Sequence, residues 1–130
     1  MKFPVLLLAF ALPMTSLAAL NGDEPFICAP RHVFECDEID GCDAALPKEI
    51  GLASFAKVDL KAKKITALGI DRVTPIEYSE SPEGGWLIAG ADGVLSWSGA
   101  IAAEDGNLTM SITGDGYTFS IYGHCEQFPD

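Results

Sequence analysis

Strict alternation of apolar and hydroxyl side chains runs through the last third of the chain. On a strand spanning Val94 to Ala103, Leu95, Trp97 and Ile101 share one face, with Ser96 and Ser98 on the other. Leu108, Met110 and Ile112 alternate with Thr109, Ser111 and Thr113, and Tyr117, Phe119 and Ile121 alternate with Thr118, Ser120 and Tyr122. Glu104-Asp105-Gly106-Asn107 and Gly114-Asp115-Gly116 separate these runs. A period of two puts alternate side chains on opposite faces of an extended chain. Gly/Asp turns at short, regular spacing then make an antiparallel meander, buried on one face and wet on the other.

Upstream the pattern is weaker but of the same kind. Phe26 to Cys36 is β-rich and interrupted by Pro30, which predicts an edge strand or a break between two short strands. Asp37 to Asp43 reads as an acidic loop, and Pro47 to Leu52 as one helical turn with Pro at a first-turn position. Ser54 to Leu60 predicts a strand with Ala56, Val58 and Leu60 on one face. Lys61 to Lys63 turns the chain, and Lys64 to Ile70 returns. Arg72 to Glu80 predicts a strand weakened by Pro75. Pro82 to Gly85 is a turn, Trp86 to Ala89 a strand, and Asp92-Gly93 a hairpin turn. The sum is an all-β fold: a single small antiparallel meander of about eight strands. A meander of that length should close into a barrel or sandwich to hide its edges.

The N-terminus changes the compartment. Lys2, the apolar run Val5 to Leu12, Pro13 and the exit Ser16-Leu17-Ala18 have the anatomy of a secretory signal peptide, residues 1–18. The run is shorter than the ~20 apolar residues that span a bilayer. Without a Cys at the cleavage point, no stable membrane anchor is expected. Residues 19–130, 112 of the 130 residues, form a single β domain expected to be a monomer, periplasmic or secreted. Cleavage after Ala18 removes Lys2 and no acid, taking the net charge from −11 to −12. That charge disfavours nucleic acid and anionic membranes and favours a basic protein partner.

In an oxidising compartment the even set Cys28, Cys36, Cys42 and Cys125 reads as two disulfides, with three connectivities open. Cys36–Cys42 as a local clamp and Cys28–Cys125 as a tie between the ends is the expected pairing. The second bridge would place the first strand beside the last, as closure requires. His32 and His124 near these cysteines raise a zinc site as the competitor, but the spacing Cys28-x3-His32-x3-Cys36 is not that of standard zinc sites.

The Cys-bracketed acidic loop, the segment Leu52 to Leu60, and the ending resemble small bacterial exported disulfide-containing β proteins. In that ending the matching pieces are Gly99 to Ile101, Gly106-Asn107-Leu108-Thr109, Gly116 to Phe119 and Gly123-His124-Cys125. The resemblance implies a β domain in the cell envelope and carries no activity. A fainter architectural likeness is to the periplasmic inhibitors of C-type lysozyme, whose inhibitory loop has no residue-by-residue counterpart here.

Candidate chemistry is sparse. Asp37, Asp40 and Asp43 in the acidic loop are hard oxygen ligands suited to Ca²⁺, although the spacing departs from the EF-hand loop. His32 and His124 are the neutral-pH bases, but no signature surrounds Ser96, Ser120 or Asp115, so the protein is not expected to be an enzyme. No cofactor is expected. Lys57, Lys61, Lys63 and Lys64 make a basic hairpin, read as edge protection ahead of a docking patch. Trp86, Trp97, Tyr78, Tyr117, Tyr122, Phe55 and Phe119 either fill the core or line a ligand cavity. Asn107-Leu108-Thr109 matches a glycosylation acceptor. The function expected from these features is surface binding to a protein partner, such as inhibition of a basic envelope hydrolase. The alternatives are carriage of a small apolar ligand in the barrel mouth and a structural envelope role.

Overall fold

The computed structural model describes residues 19–128; the expected signal peptide lies outside the described residues. Ten strands follow in order: β1 (Phe26–Asp37), β2 (Gly41–Ala45), β3 (Ala56–Asp59), β4 (Lys64–Ala67), β5 (Arg72–Pro75), β6 (Tyr78–Glu80), β7 (Gly85–Asp92), β8 (Leu95–Ala102), β9 (Asn107–Thr113) and β10 (Tyr117–Gln127). A short 3-10 turn, Pro47–Ile50, separates β2 from β3. The chain is all-β, and every strand pairing is antiparallel.

The sheet order is β5-β4-β3-β1-β10-β9-β8-β7-β6, with β2 also on β1. Two meanders therefore flank a central β1–β10 pair. The 12-residue β1 is long enough to hold three partners: β10 on one side, and β3 then β2 along the other. Pro30 has no N–H to give to the ladder, and the register to β10 shifts between Pro30 and His32. The residue is absorbed as a bulge inside one continuous strand. Cys28 and Cys125 face each other in register and are bonded, and so are Cys36 and Cys42. The first bridge ties the two central strands, so it does not act at the edges where closure would occur.

The sheet curls into a half-barrel whose concave face carries the core. Phe26, Val58, Ile76, Ile88, Trp97, Ile101, Leu108 and the Cys28–Cys125 bridge form one buried cluster. Register explains the packing. Phe119, Ile112, Trp97 and Gly90 lie in one cross-strand row, and Ile121, Met110, Gly99 and Ile88 in the next. A glycine opposite Trp97 leaves room for its indole: a Cβ at position 90 would sit 2.8 Å from the ring. Phe26, fully buried, packs its ring 4.9 Å from that of Trp86.

Two strands exceed the sequence expectation. The last three residues of the acidic loop, Gly41 to Asp43, belong to β2, which pairs with β1 through backbone groups and buries no apolar face of its own. Arg72 to Glu80 is two strands, because the chain crosses from one edge of the sheet to the other within Ile76 and Glu77. Ile76 N–H donates to Lys63 O at 2.9 Å and Glu77 N–H to Ala89 O at 3.0 Å. The end strands β5 and β6 are thus adjacent in sequence but unpaired with each other, leaving a seam. Both edges at that seam are short, and β5 ends in Pro75, which blunts it further. Lys57 and Lys64 lie on β3 and β4, which have neighbours on both sides, so edge protection is not their role.

Candidate ligand cavity

The concave face is not filled. A cavity of about 210 Å³ remains between the two meanders. Its walls come from both: Ala56, Val58, Ile65 and Ala67 from β3 and β4, and Ile88, Trp97, Ile101, Met110 and Phe119 from β7 to β10. The 3-10 turn and the residues after it, Ile50 to Ala53, cover one end. Ala56 and Ala67 are directly opposed across β3–β4. Two methyl groups where larger side chains would reach the far wall are the local reason for the open space.

The charged and hydroxyl side chains of the lining are confined to one place. Arg72 and Thr74 are two apart on β5 and so share a face, and Asp92 ends β7 across the seam. Arg72 and Asp92 form an ion pair whose side chains are 48% and 38% exposed. Elsewhere in the wall, Trp97 Nε1 is buried without a hydrogen-bond partner. An orphaned buried donor costs about 1–3 kcal/mol.

The structure separates the sequence candidates. Of the seven aromatics, Trp97 and Phe119 line the cavity. Tyr117 meets Phe119 edge-to-face with ring centroids 5.3 Å apart, while Phe55, Tyr78 and Tyr122 are exposed. Asp37, Asp40 and Asp43 do not converge. Asp37 Oδ1 accepts from the N–H groups of Asp40 at 2.7 Å and Ile39 at 2.8 Å, and Asp43 sits opposite Glu35 on β2. Those bonds, Asp40's first, hold the Asp37 carboxyl below the usual carboxylate range. Among the described residues no group of three or more His, Cys, Asp or Glu is placed to hold a metal, and no cysteine is free for zinc. His124 Nε2 lies 3.6 Å from Glu126, and His32 lies opposite Tyr122 on the outer face. Lys57 Nζ sits 5.0 Å over the Phe128 ring.

Sequence reasoning missed Arg72, Thr74, Asp92 and the turn at Ile50 to Ala53. The spacing of Ile65 and Ala67 on a strand was the available signal for the β4 wall. The two disulfides indicate a non-cytoplasmic, oxidising compartment. Among the described residues no helix is long and apolar enough to cross a membrane. Comparison with known proteins returns no match: no protein-family profile, no curated protein and no solved structure is similar to this chain.

Proposed function

We propose that the protein binds a small apolar molecule in the concave cavity of its half-barrel, acting as an exported carrier in the periplasm or outside the cell. The cavity carries this reading. Protein interiors hold few voids larger than a water molecule. Apolar cavities of ~150 Å³ stay dry and take up benzene, and this one is about 210 Å³. Apolar wall left facing water costs about 25 cal/mol for each Å² that a ligand could cover. A ligand offsets that cost. On this reading the half-barrel behaves as a barrel open along the β5–β6 seam.

The test is thermal unfolding of the oxidised protein with n-octane or toluene, alongside Trp emission, since Trp97 lines the site. Ligand at one hundred times its Kd should add about 2.7 kcal/mol of stability. Ala56→Phe fills the space and should remove the response while the domain stays folded. A parent protein that gives no shift with either hydrocarbon overturns the proposal.

A second reading, a protein interface, has one observation in its favour. The Cys36–Cys42 bridge and the Asp37 turn hold the β1–β2 hairpin tip rigid, and Ile39 at that tip is 86% exposed among carboxylates. A preorganised apolar knob ringed by acids suits the cleft of a basic protein, such as an envelope hydrolase. Retention on immobilised lysozyme at low salt, lost at high salt and with Ile39→Asp, is the expected outcome. Equal retention of parent and variant removes this reading.

A further inference from the structure

We infer that the cavity's ligand is a neutral amphiphile, its tail among the apolar walls and a hydroxyl or amide head on the Arg72–Asp92 pair at the seam. The inference rests on the cavity reading above and adds the chemistry of the head. Arg72, Thr74 and Asp92 gather at one end of a wall that is otherwise almost wholly apolar. A site polar at one end matches a molecule polar at one end. A plain hydrocarbon reaching the seam would strip water from both charges and return no hydrogen bond.

Charge selects the head. Arg72 and Asp92 neutralise each other, so the rim presents donors and acceptors with no net charge. A carboxylate head must displace Asp92 from the guanidinium and approach a chain of net charge −11. An ammonium head must displace Arg72 from the carboxylate. A hydroxyl needs neither. It donates to an Asp92 oxygen and accepts from an Arg72 N–H, leaving the pair in place, and the Thr74 hydroxyl adds either role. The half-exposure of both charged side chains lets the head stay partly wet. A cavity of about 210 Å³ takes a substituted ring or a medium-length alkyl chain as the tail.

Four probes of one chain length test this at neutral pH by calorimetry: n-octane, 1-octanol, octanoate and octylamine. 1-Octanol should bind about tenfold more tightly than octanoate or octylamine, the worth of one hydrogen bond to a charged group. Asp92→Asn removes the negative half of the rim and should switch the preference to octanoate, with the thermal midpoint of the ligand-free variant as the control for folding. If octane binds but octanoate or octylamine matches 1-octanol, the head-group inference falls and the cavity reading stands. If Asp92→Asn leaves the ranking as in the parent, the ion pair does not read the head. If neither octane nor 1-octanol binds, both readings fall.

Discussion

Gly90 and Asp37 show how single positions set this structure. Gly90 lies on β7 under the Trp97 indole. A Cβ there would stand 2.8 Å from the ring and 2.9 Å from Pro75 O, so the backbone crosses the seam closely only because position 90 has no side chain. Gly90→Ala should destabilise by about 1–3 kcal/mol, the usual cost of overpacking, read as a lower urea midpoint. Trp emission should change too, because the indole must move. Asp37 acts on the opposite kind of site, an exposed turn. Its carboxyl is held below the ordinary carboxylate range by two backbone donors, so its contribution is present above the unfolded value and lost as pH falls through the lowered folded one. Protection of the Ile39 and Asp40 amides should therefore hold at neutral pH and fall in acid. Asp37→Ala should abolish that pH dependence without moving global unfolding.

Among the strands, legibility followed exposure. β8, β9 and β10 each have one wet and one buried face, so Leu95, Trp97, Ile101, Leu108, Met110 and Ile112 announce their side by alternation. Gly41 to Ala45 has no such signal, because β2 is held by its ladder to β1 and by Cys36–Cys42. Pro30 pointed to a break that β1 absorbs as a bulge, since it falls where β1 has β10 alone as partner, between the stretches paired with β3 and with β2. The cavity rim was illegible for a different reason: Arg72 and Asp92 meet only because of the order of the whole sheet. The two disulfides also act on different scales. Cys28–Cys125 spans 97 residues and Cys36–Cys42 spans 6. In the chain-entropy model these closures are worth about 4.7 and about 2 kcal/mol. Replacing Cys28 and Cys125 by Ala should lower the thermal midpoint well beyond the loss from replacing Cys36 and Cys42. Equal losses would mean that native contacts rather than loop length set their worth.

At the scale of the molecule, the seam ties stability to access. Every other strand boundary in the main sheet is a hydrogen-bonded ladder, but β5 and β6 are joined only through Ile76 and Glu77, whose amides bond to Lys63 just before β4 and to Ala89 on β7. Buried Ile76 plugs the joint from inside, and the Arg72–Asp92 pair spans it beside the cavity. Lengthening a connection costs little, about 0.6 kcal/mol for each doubling of a flexible loop. Inserting Gly-Ser-Gly between Ile76 and Glu77 should therefore leave the domain folded while freeing the two edges from each other. If ligand enters through the seam, octane association and dissociation, followed by Trp emission, should both accelerate with less change in their ratio. Unchanged rates would place the entrance at the other end, past Ile50 to Ala53, where the 3-10 turn covers the cavity with no ladder to hold it down.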